Sequence, residues 1–122
     1  MEQLQTRLDN LIFHITSRSD WHKAQILDLY QADSLTTEGF IHCSTLEQVV
    51  ETANLFFAGR SNLVLLCIDP KLLNAEIRYE ITDRETEFPH IYGTLNLDAV
   101  VSILDLEPNS DGKFKLPQIL AQ

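Results

Sequence analysis

Apolar residues fall in short runs along the chain, and the length and spacing of these runs predict a sheet with a few helices. Residues 63–68 are apolar at every position, which is typical of a central strand buried on both faces. Four further segments are predicted to be extended: 11–16, 76–81, 88–93 and 100–106. The pattern therefore indicates a mixed α+β fold organised around the strand at 63–68.

Two segments carry the signals of helices. Ser17, with Asp20 three residues later, predicts a helix over about residues 18–25, because serine caps helix N-termini and an acid suits the first turn. Thr45 and Gln48 match a capping box at the head of a second helix that ends near residue 59. Spacings of three and four predict one buried stripe on this helix, made of Leu46, Val49, Val50, Ala53, Phe56 and Phe57.

The segments between these elements are predicted to be irregular. Residues 1–10 are expected to form a helical or frayed lead, and residues 26–30 a short strand or turn. The polar segments 33–38 and 83–87 are predicted as loops, and residues 108–112 as a turn.

The run that enters the second helix combines apolar and chemically active side chains. Successive side chains of an extended segment point to opposite faces, so Phe40, His42 and Ser44 share one face, opposite Ile41 and Cys43. A polar loop precedes this run, and loops of this kind carry many binding residues. We therefore predict a binding pocket here.

Composition and charge narrow the class of protein. With 44% hydrophobic residues, the 122-residue chain is expected to form one domain over residues 1–122. Its apolar runs are too short to span a bilayer and its acidic start does not resemble a signal peptide, so a cytoplasmic location without a membrane partner is expected. The formal charge of −9 disfavours nucleic acid, whose phosphates are bound mainly by Lys and Arg. Cys43 and Cys67 lie in apolar runs and are predicted to be reduced core thiols.

Three histidines lie in strand-like runs: His14, His42 and His90. Three imidazoles and a water can form a catalytic zinc shell, yet no pair here has the close helical spacing of a zinc motif, so no metal is predicted. Nucleophilic catalysis by Cys43 with a histidine base is another alternative. The opposite faces of His42 and Cys43 weigh against it.

Several motifs together resemble a known family. They are Ile12-Phe13-His14-Ile15-Thr16, the segment from Ala32 to Ser44, the segment from Leu63 to Pro70, Arg78-Tyr79-Glu80, and Phe88-Pro89-His90-Ile91-Tyr92-Gly93. Over about residues 11–106, the chain is identified as a member of the DUF952 family of small, largely bacterial proteins of unknown function. That family is grouped by fold with the ADP-ribosyltransferases, whose NAD-binding cleft lies in a split β-sheet. The resemblance implies an α+β fold of the ADP-ribosyltransferase-like type, a split β-sheet with a few short helices.

The resemblance also implies roles for individual residues. His14 resembles the His or Arg that holds the NAD ribose, and Glu80 resembles the catalytic glutamate. Arg78, however, stands where arginine-directed transferases carry a second acid. Catalytic roles are thus implied for His14 and Glu80. Ligand binding is expected of Thr16, Ser34, Phe40, His42, Ser44, Arg60, Arg78, Phe88, His90 and Tyr92.

Two functions are left open at this point. In the first, NAD or a derivative is the ligand or substrate, and the carboxylate of Glu80 stabilises the oxocarbenium-like centre as the glycosidic bond is cleaved or its ribosyl group transferred. In the second, the cleft is a non-catalytic module that binds a small molecule or a protein segment. A surface ion pair of Glu80 with Arg78 or Arg84 is the alternative to a catalytic role.

In the first function, different binding residues are expected to contact different chemical groups of NAD. Ser44 is expected to bond a carboxamide, and Phe88 or Tyr92 to stack on a planar ring. Arg60 and Arg78 are the cations available to a pyrophosphate. A small-molecule partner is thus expected, and the oligomeric state is not predicted.

Overall fold

The structure is a computed structural model that describes residues 10–82 and 84–120. The predicted lead over residues 1–10 lies outside the described residues except for its last position, which is in a turn. In chain order the elements are β1 (Ile12–Ser17), α1 (Arg18–Leu27), α2 (Asp33–Thr37), β2 (Ile41–His42), α3 (Val49–Phe56), β3 (Leu63–Ile68), a 3₁₀ turn (Pro70–Leu72), β4 (Glu76–Ile81), β5 (Glu87–Tyr92), a second 3₁₀ turn (Leu97–Ala99), β6 (Val100–Leu106) and a third 3₁₀ turn (Gln118–Leu120).

The strands form two three-stranded antiparallel sheets, so the predicted α+β class is confirmed. The first sheet has the order β1-β3-β6 and the second the order β2-β5-β4. The sheets meet at an isolated bridge, where Phe13 and Ser44 exchange two backbone hydrogen bonds of 2.8 Å. One residue further along β1, a side chain also connects the two sheets. Nδ1 of His14 donates to the carbonyl oxygen of His42, in β2, at 2.6 Å.

The central strand β3 is buried on both faces, as its continuous apolar sequence predicts. On one face, Leu66 belongs to a core that includes Trp21 of α1 and Ile91 of the second sheet. On the other face, Leu65 belongs to a core shared with α3 and with Phe114 of the C-terminal segment. Because burial of apolar surface is the dominant favourable term in folding, both cores depend on this strand.

The first helix begins as predicted, because the amide of Asp20 donates to Oγ of Ser17 at 3.0 Å. The helix continues two residues beyond its predicted end. The prediction of a short strand or turn over residues 26–30 is therefore wrong in its first part, since those residues remain helical. The end of the segment is held by a bridge between Tyr30 and Leu95.

Three details of the other helices differ from prediction. The predicted loop at 33–38 contains α2, which has no side-chain cap and so no start signal in the sequence. Half of the capping box is present, since the amide of Thr45 donates to Oε1 of Gln48 at 3.0 Å, but the regular helix begins only after that turn. Phe56 is 63% exposed because it borders a cavity rather than the core. In the described part of the chain, every helix is too short to cross a bilayer as an apolar span.

Candidate functional site

A cavity of about 280 Å³ lies where the two sheets join, and β5 and α3 contribute to its walls. Its apolar lining includes Phe13, Ile15, Phe56, Phe57 and Phe88. Its polar lining includes His14, His42, Ser44, Thr52, Arg84 and His90. Apolar walls with a few convergent polar groups are typical of small-molecule sites, and this volume is at the lower end of the range for such sites.

The imidazole of His90 is buried and is held on two sides. Its Nδ1 donates to Oε1 of Glu80 at 2.8 Å, and the ring of Phe40 stacks on it with centroids 4.0 Å apart. Its Nε2 is buried and has no hydrogen-bond partner among residues 10–82 and 84–120. Because Nδ1 carries the donated proton, Nε2 of the neutral ring bears a lone pair, and that lone pair has no partner among the described residues.

Glu80 lies behind His90 and is not part of the cavity lining. Its Oε1 also accepts a hydrogen bond of 2.5 Å from the hydroxyl of Tyr92. The bond from Tyr92, and after it the bond from His90, lowers the pKa of Glu80, while the carboxylate raises the pKa of Tyr92. Glu80 is therefore ionised at neutral pH and accepts both bonds.

The ion pair of Glu80 with Arg78 or Arg84, which was the alternative to a catalytic role, is not formed. Nε of Arg78 lies 3.1 Å from Oε2 of Glu76, and the guanidinium is 4.2 Å from the ring centre of Tyr92. Arg84 is paired with a carboxylate of α3 at 2.8 Å. Glu80 is thus bonded to the buried histidine and to Tyr92.

Replacing Tyr92 by phenylalanine is expected to raise the pKa of Glu80, because the variant lacks the hydrogen bond that lowers this pKa most. The side-chain carboxyl ¹³C shift of Glu80, followed by NMR through an acid titration, measures the change. Tyr79→Phe is the matched control, since Tyr79 alternates with Glu80 along β4 and so points to the opposite face. Identical Glu80 titrations in Tyr92→Phe and the unmodified protein would show that the tyrosine does not stabilise the carboxylate.

The same bond has a consequence for stability in acid. A carboxyl whose pKa is lowered on folding stabilises the protein above its unfolded-state pKa, and this stabilisation is lost as the pH falls through the folded-state pKa. We therefore expect unmodified protein to lose more stability than Tyr92→Phe as the pH falls below about 4.5.

His14 also borders the cavity, but both of its ring nitrogens are bonded within the protein. In addition to the bond from Nδ1 to the carbonyl of His42, Nε2 accepts from the hydroxyl of Tyr30 at 2.8 Å. That hydroxyl is 3.0 Å from Oγ1 of Thr16. Burial lowers the pKa of His14 to about 4, so its imidazole is neutral at physiological pH. His14 therefore joins β1 to β2, and a ligand would have to displace one of these bonds to reach it.

Arg84 and Thr52 are cavity residues that the sequence analysis does not identify. Nη1 of Arg84 donates to Oγ1 of Thr52 at 2.8 Å, Nη2 donates to Glu51 at 2.8 Å, and the guanidinium is 4.4 Å from the ring centre of Phe88. Its Nε is buried and, like Nε2 of His90, has no partner in the described part of the chain. Arg84 belongs to a charged loop 32 residues from Thr52 in sequence, so no local pattern indicates their contact.

Some of the other residues predicted to bind ligand line the cavity, and the rest lie outside its lining. His42, Ser44 and Phe88 line the cavity together with His90. The ring of His42 is half exposed, and its Nε2 is 2.9 Å from a carboxylate oxygen of Glu38. The structure thus brings the predicted histidines into one region, and Nε2 of His90 is a buried ring nitrogen without a partner among the described residues.

The remaining predicted residues lie outside the lining. Phe40 packs behind His90, and Ser34 supports it by donating to the carbonyl of Phe40 at 2.7 Å. Arg60 is exposed, with its guanidinium 5.1 Å from the ring centre of Phe57. The contacts of Ser34 are therefore structural, and those of Arg60 place it near the rim.

Both cysteines are buried and free, as predicted. Burial raises the pKa of Cys67 to about 12 and also raises the pKa of Cys43. Because the thiolate is the reactive form, the structure does not favour Cys43 as a nucleophile. Within residues 10–82 and 84–120, no three His, Cys, Asp or Glu side chains are grouped so that they could hold a metal ion.

Fold and site together define a small α+β protein with a cavity at the join of two sheets and a carboxylate–histidine pair at its wall. The chain belongs to the family described as "Protein of unknown function (DUF952)", whose model matches residues 15–103. The predicted family membership is therefore confirmed.

Among solved structures, the chain is similar to protein CC0527 from Caulobacter crescentus. With its X-ray crystal structure the identity is 34% and the TM-score 0.84, over 92% of this chain and 99% of that one. With its solution NMR structure the identity is 34% and the TM-score 0.76, over 90% and 93% of the two chains. No curated protein sequence matches the chain.

Proposed function

We propose that the cavity binds a nucleotide-like ligand, NAD or a derivative, and that the protein cleaves or transfers at the glycosidic bond of this ligand. The observation that carries the proposal is the buried His90, a cavity residue whose Nδ1 donates a hydrogen bond to Glu80 and whose Nε2 has no partner among the described residues. A carboxylate that fixes the proton on one imidazole nitrogen leaves the other to accept a proton, which is the arrangement used in general acid–base catalysis.

The ADP-ribosyltransferase-like split sheet is part of the same proposal. Its support is the meeting of two antiparallel sheets at one bridge, with the cavity at that join. The buried, free cysteines favour the reducing cytoplasm as the place of action.

Different parts of the proposed ligand would contact different residues of the cavity and its surroundings. A nicotinamide-like ring would pack against the aromatic wall that contains Phe56 and Phe88, with Ser44 placed to bond its carboxamide. The small volume suits a ring and its ribose, so the rest of a dinucleotide would extend outwards. Arg60 and Arg78, which are both exposed, would then be the cations available to the pyrophosphate.

In the hydrolytic form of the proposed reaction, Nε2 of His90 takes a proton from water as the water oxygen attacks the ribosyl carbon. The carbon–nitrogen bond breaks through an oxocarbenium-like transition state, and its electron pair leaves with nicotinamide. ADP-ribose and nicotinamide are the products, and the imidazolium releases its proton to solvent. Glu80 stabilises that imidazolium from behind and is a positioning residue, while His14 contributes by holding the two sheets together.

A non-catalytic binding module is the second candidate, and one observation favours it. Because Glu80 is not in the lining, no carboxylate among the described lining residues contacts the cavity to stabilise an oxocarbenium centre directly.

Calorimetric titration with NAD, followed by chromatographic measurement of released nicotinamide, separates the two candidates. Saturable binding with nicotinamide release is the result expected of the enzyme. Binding without release would favour the module. An absence of NAD binding at millimolar concentration would contradict the proposed ligand class.

A further inference from the structure

Two buried side-chain atoms in the described chain have no hydrogen-bond partner, Nε of Arg84 and Nε2 of His90, and both side chains line the same cavity. The great majority of buried polar atoms in native proteins are paired, because an unpaired one forgoes its bonds to water without compensation. Because both side chains line one cavity, a molecule bound there lies beside both of them.

The side of the cavity near Arg84 is built to receive an anion. Nε of Arg84 always carries a proton and donates. Oγ1 of Thr52 accepts from Arg84 at 2.8 Å and from Oγ of Ser44 at 3.2 Å, so the hydroxyl proton of Thr52 is left to donate as well. The described lining includes one guanidinium and no carboxylate, although the chain carries a formal charge of −9. Glu51 meets this guanidinium through Nη2, with a carboxylate that is 73% exposed.

A phosphate suits the donors on this side of the cavity. Planar, bidentate recognition of a carboxylate uses two neighbouring N–H groups of arginine. Here one N–H of Nη1 donates to Thr52 and one of Nη2 to Glu51, which leaves the Nε–H and a second N–H on each Nη. The hydroxyl of Thr52 adds a donor from a second element, α3, and the tetrahedral oxygens of a phosphate can accept from it and from Arg84.

The lone pair on Nε2 of His90 can accept a hydrogen bond from a second group of the same ligand. The guanidinium of Arg84 lies over Phe88, and Phe88 and His90 are two residues apart on one face of β5, so their Cα atoms are about 7 Å apart. A phosphate and a hydroxyl on the same pentose can span such a distance. We infer that this cavity recognises a phosphorylated sugar, with the phosphate bound by Arg84 and Thr52 and a sugar hydroxyl donating to Nε2 of His90.

This inference rests on the proposed small-molecule role of the cavity, but it does not require that the ligand be NAD. Ribose 5-phosphate is the probe, with ribose and inorganic phosphate as the two partial ligands, and calorimetry measures each affinity. Ribose 5-phosphate is expected to bind at least about tenfold more tightly than either partial ligand, because charge-assisted and hydroxyl bonds are then made together. Equal affinity for ribose 5-phosphate and ribose would overturn the assignment of the phosphate.

Substitutions of Arg84 and Thr52 test whether these residues bind the phosphate. Arg84→Gln and Thr52→Val are each expected to weaken ribose 5-phosphate binding about tenfold or more and to leave ribose binding unchanged. Thr52→Val removes only a hydroxyl, so it remains informative if Arg84→Gln is unstable. The matched control is Arg18→Gln, because Arg18 forms an exposed ion pair with Asp105 away from the cavity. Unchanged ribose 5-phosphate affinity in both cavity variants would overturn the inference.

The outcomes also separate this inference from the proposed function. Arg84-dependent binding of ribose 5-phosphate without any binding of NAD would remove NAD as the ligand and keep the phosphosugar site. Binding of NAD with the same affinity in Arg84→Gln, together with no preference for ribose 5-phosphate, would keep the proposed ligand and remove the phosphate assignment.

Discussion

Replacing His90 by glutamine is expected to lower nicotinamide release from NAD by about a hundredfold or more, while the fold is retained. General acid–base catalysis by a positioned side chain contributes roughly 10²–10⁴-fold, and glutamine has no basic nitrogen to take the place of Nε2. Its amide can still donate to Glu80, so the packing behind the cavity is preserved. Steady-state kinetics measures the loss of kcat, and thermal unfolding checks the fold.

Glu80→Gln tests the other member of the Glu80–His90 pair. We expect kcat to fall on the order of a hundredfold with little change in KM, because the charge acts on the imidazolium that forms in the transition state rather than on bound substrate. Glu76→Gln is the matched control, since it removes an exposed carboxylate from the same face of β4. Undiminished turnover in either His90→Gln or Glu80→Gln would contradict the role given to this pair.

Lowering the pH from 7 to about 4 is expected to reduce the free energy of unfolding by about 3 kcal/mol through His14 alone. Burial lowers the pKa of His14 to about 4 from its usual 6.5, although the hydrogen bond to the carbonyl of His42 acts in the opposite direction. The unfolded chain therefore binds a proton that the folded protein does not. The stability is complete above about pH 6.5 and is lost as the pH falls towards 4, at about 1.4 kcal/mol for each pH unit.

Urea unfolding at several pH values between 7 and 4.5 measures this loss. His14→Gln removes the titrating group but keeps an amide that can donate to His42 and accept from Tyr30, so its stability is expected to depend much less on pH. His22→Gln is the matched control, because His22 is exposed on α1, and its pH dependence should match that of the unmodified protein. Equal pH dependence in His14→Gln and the unmodified protein would mean that His14 is not the group responsible.

The parts of the fold that sequence reasoning predicted well are those with local signals. The run at 63–68 is apolar throughout, and it forms the strand buried on both faces. Ser17 and Asp20 identify the start of the first helix through a bond that spans three residues. By contrast, α2 has no capping side chain, and Phe56 continues the apolar spacing of α3 although it faces the cavity.

The candidate site was predicted in its residue types but not in its connections. His90 and Glu80 were both proposed to contact a ligand, yet only the antiparallel register of β4 and β5 brings Glu80 behind the imidazole. Arg84 lies in a segment predicted only as a loop, and its bond to Thr52 gives no local signal because the two residues are 32 positions apart. Contacts of this kind depend on strand register and loop path, which no local sequence pattern encodes.

The central claim is that Nε2 of His90 meets a nucleotide-like ligand in the cavity. Long-range ¹H–¹⁵N NMR of the imidazole rings during titration with ADP-ribose tests it most directly, since this compound carries the ribose and phosphates but lacks the nicotinamide–ribose bond that the proposed reaction cleaves. We expect a saturable change in the Nε2 resonance of His90, with His22 unaffected. An unchanged His90 resonance while other signals show that ADP-ribose is bound would contradict the claim.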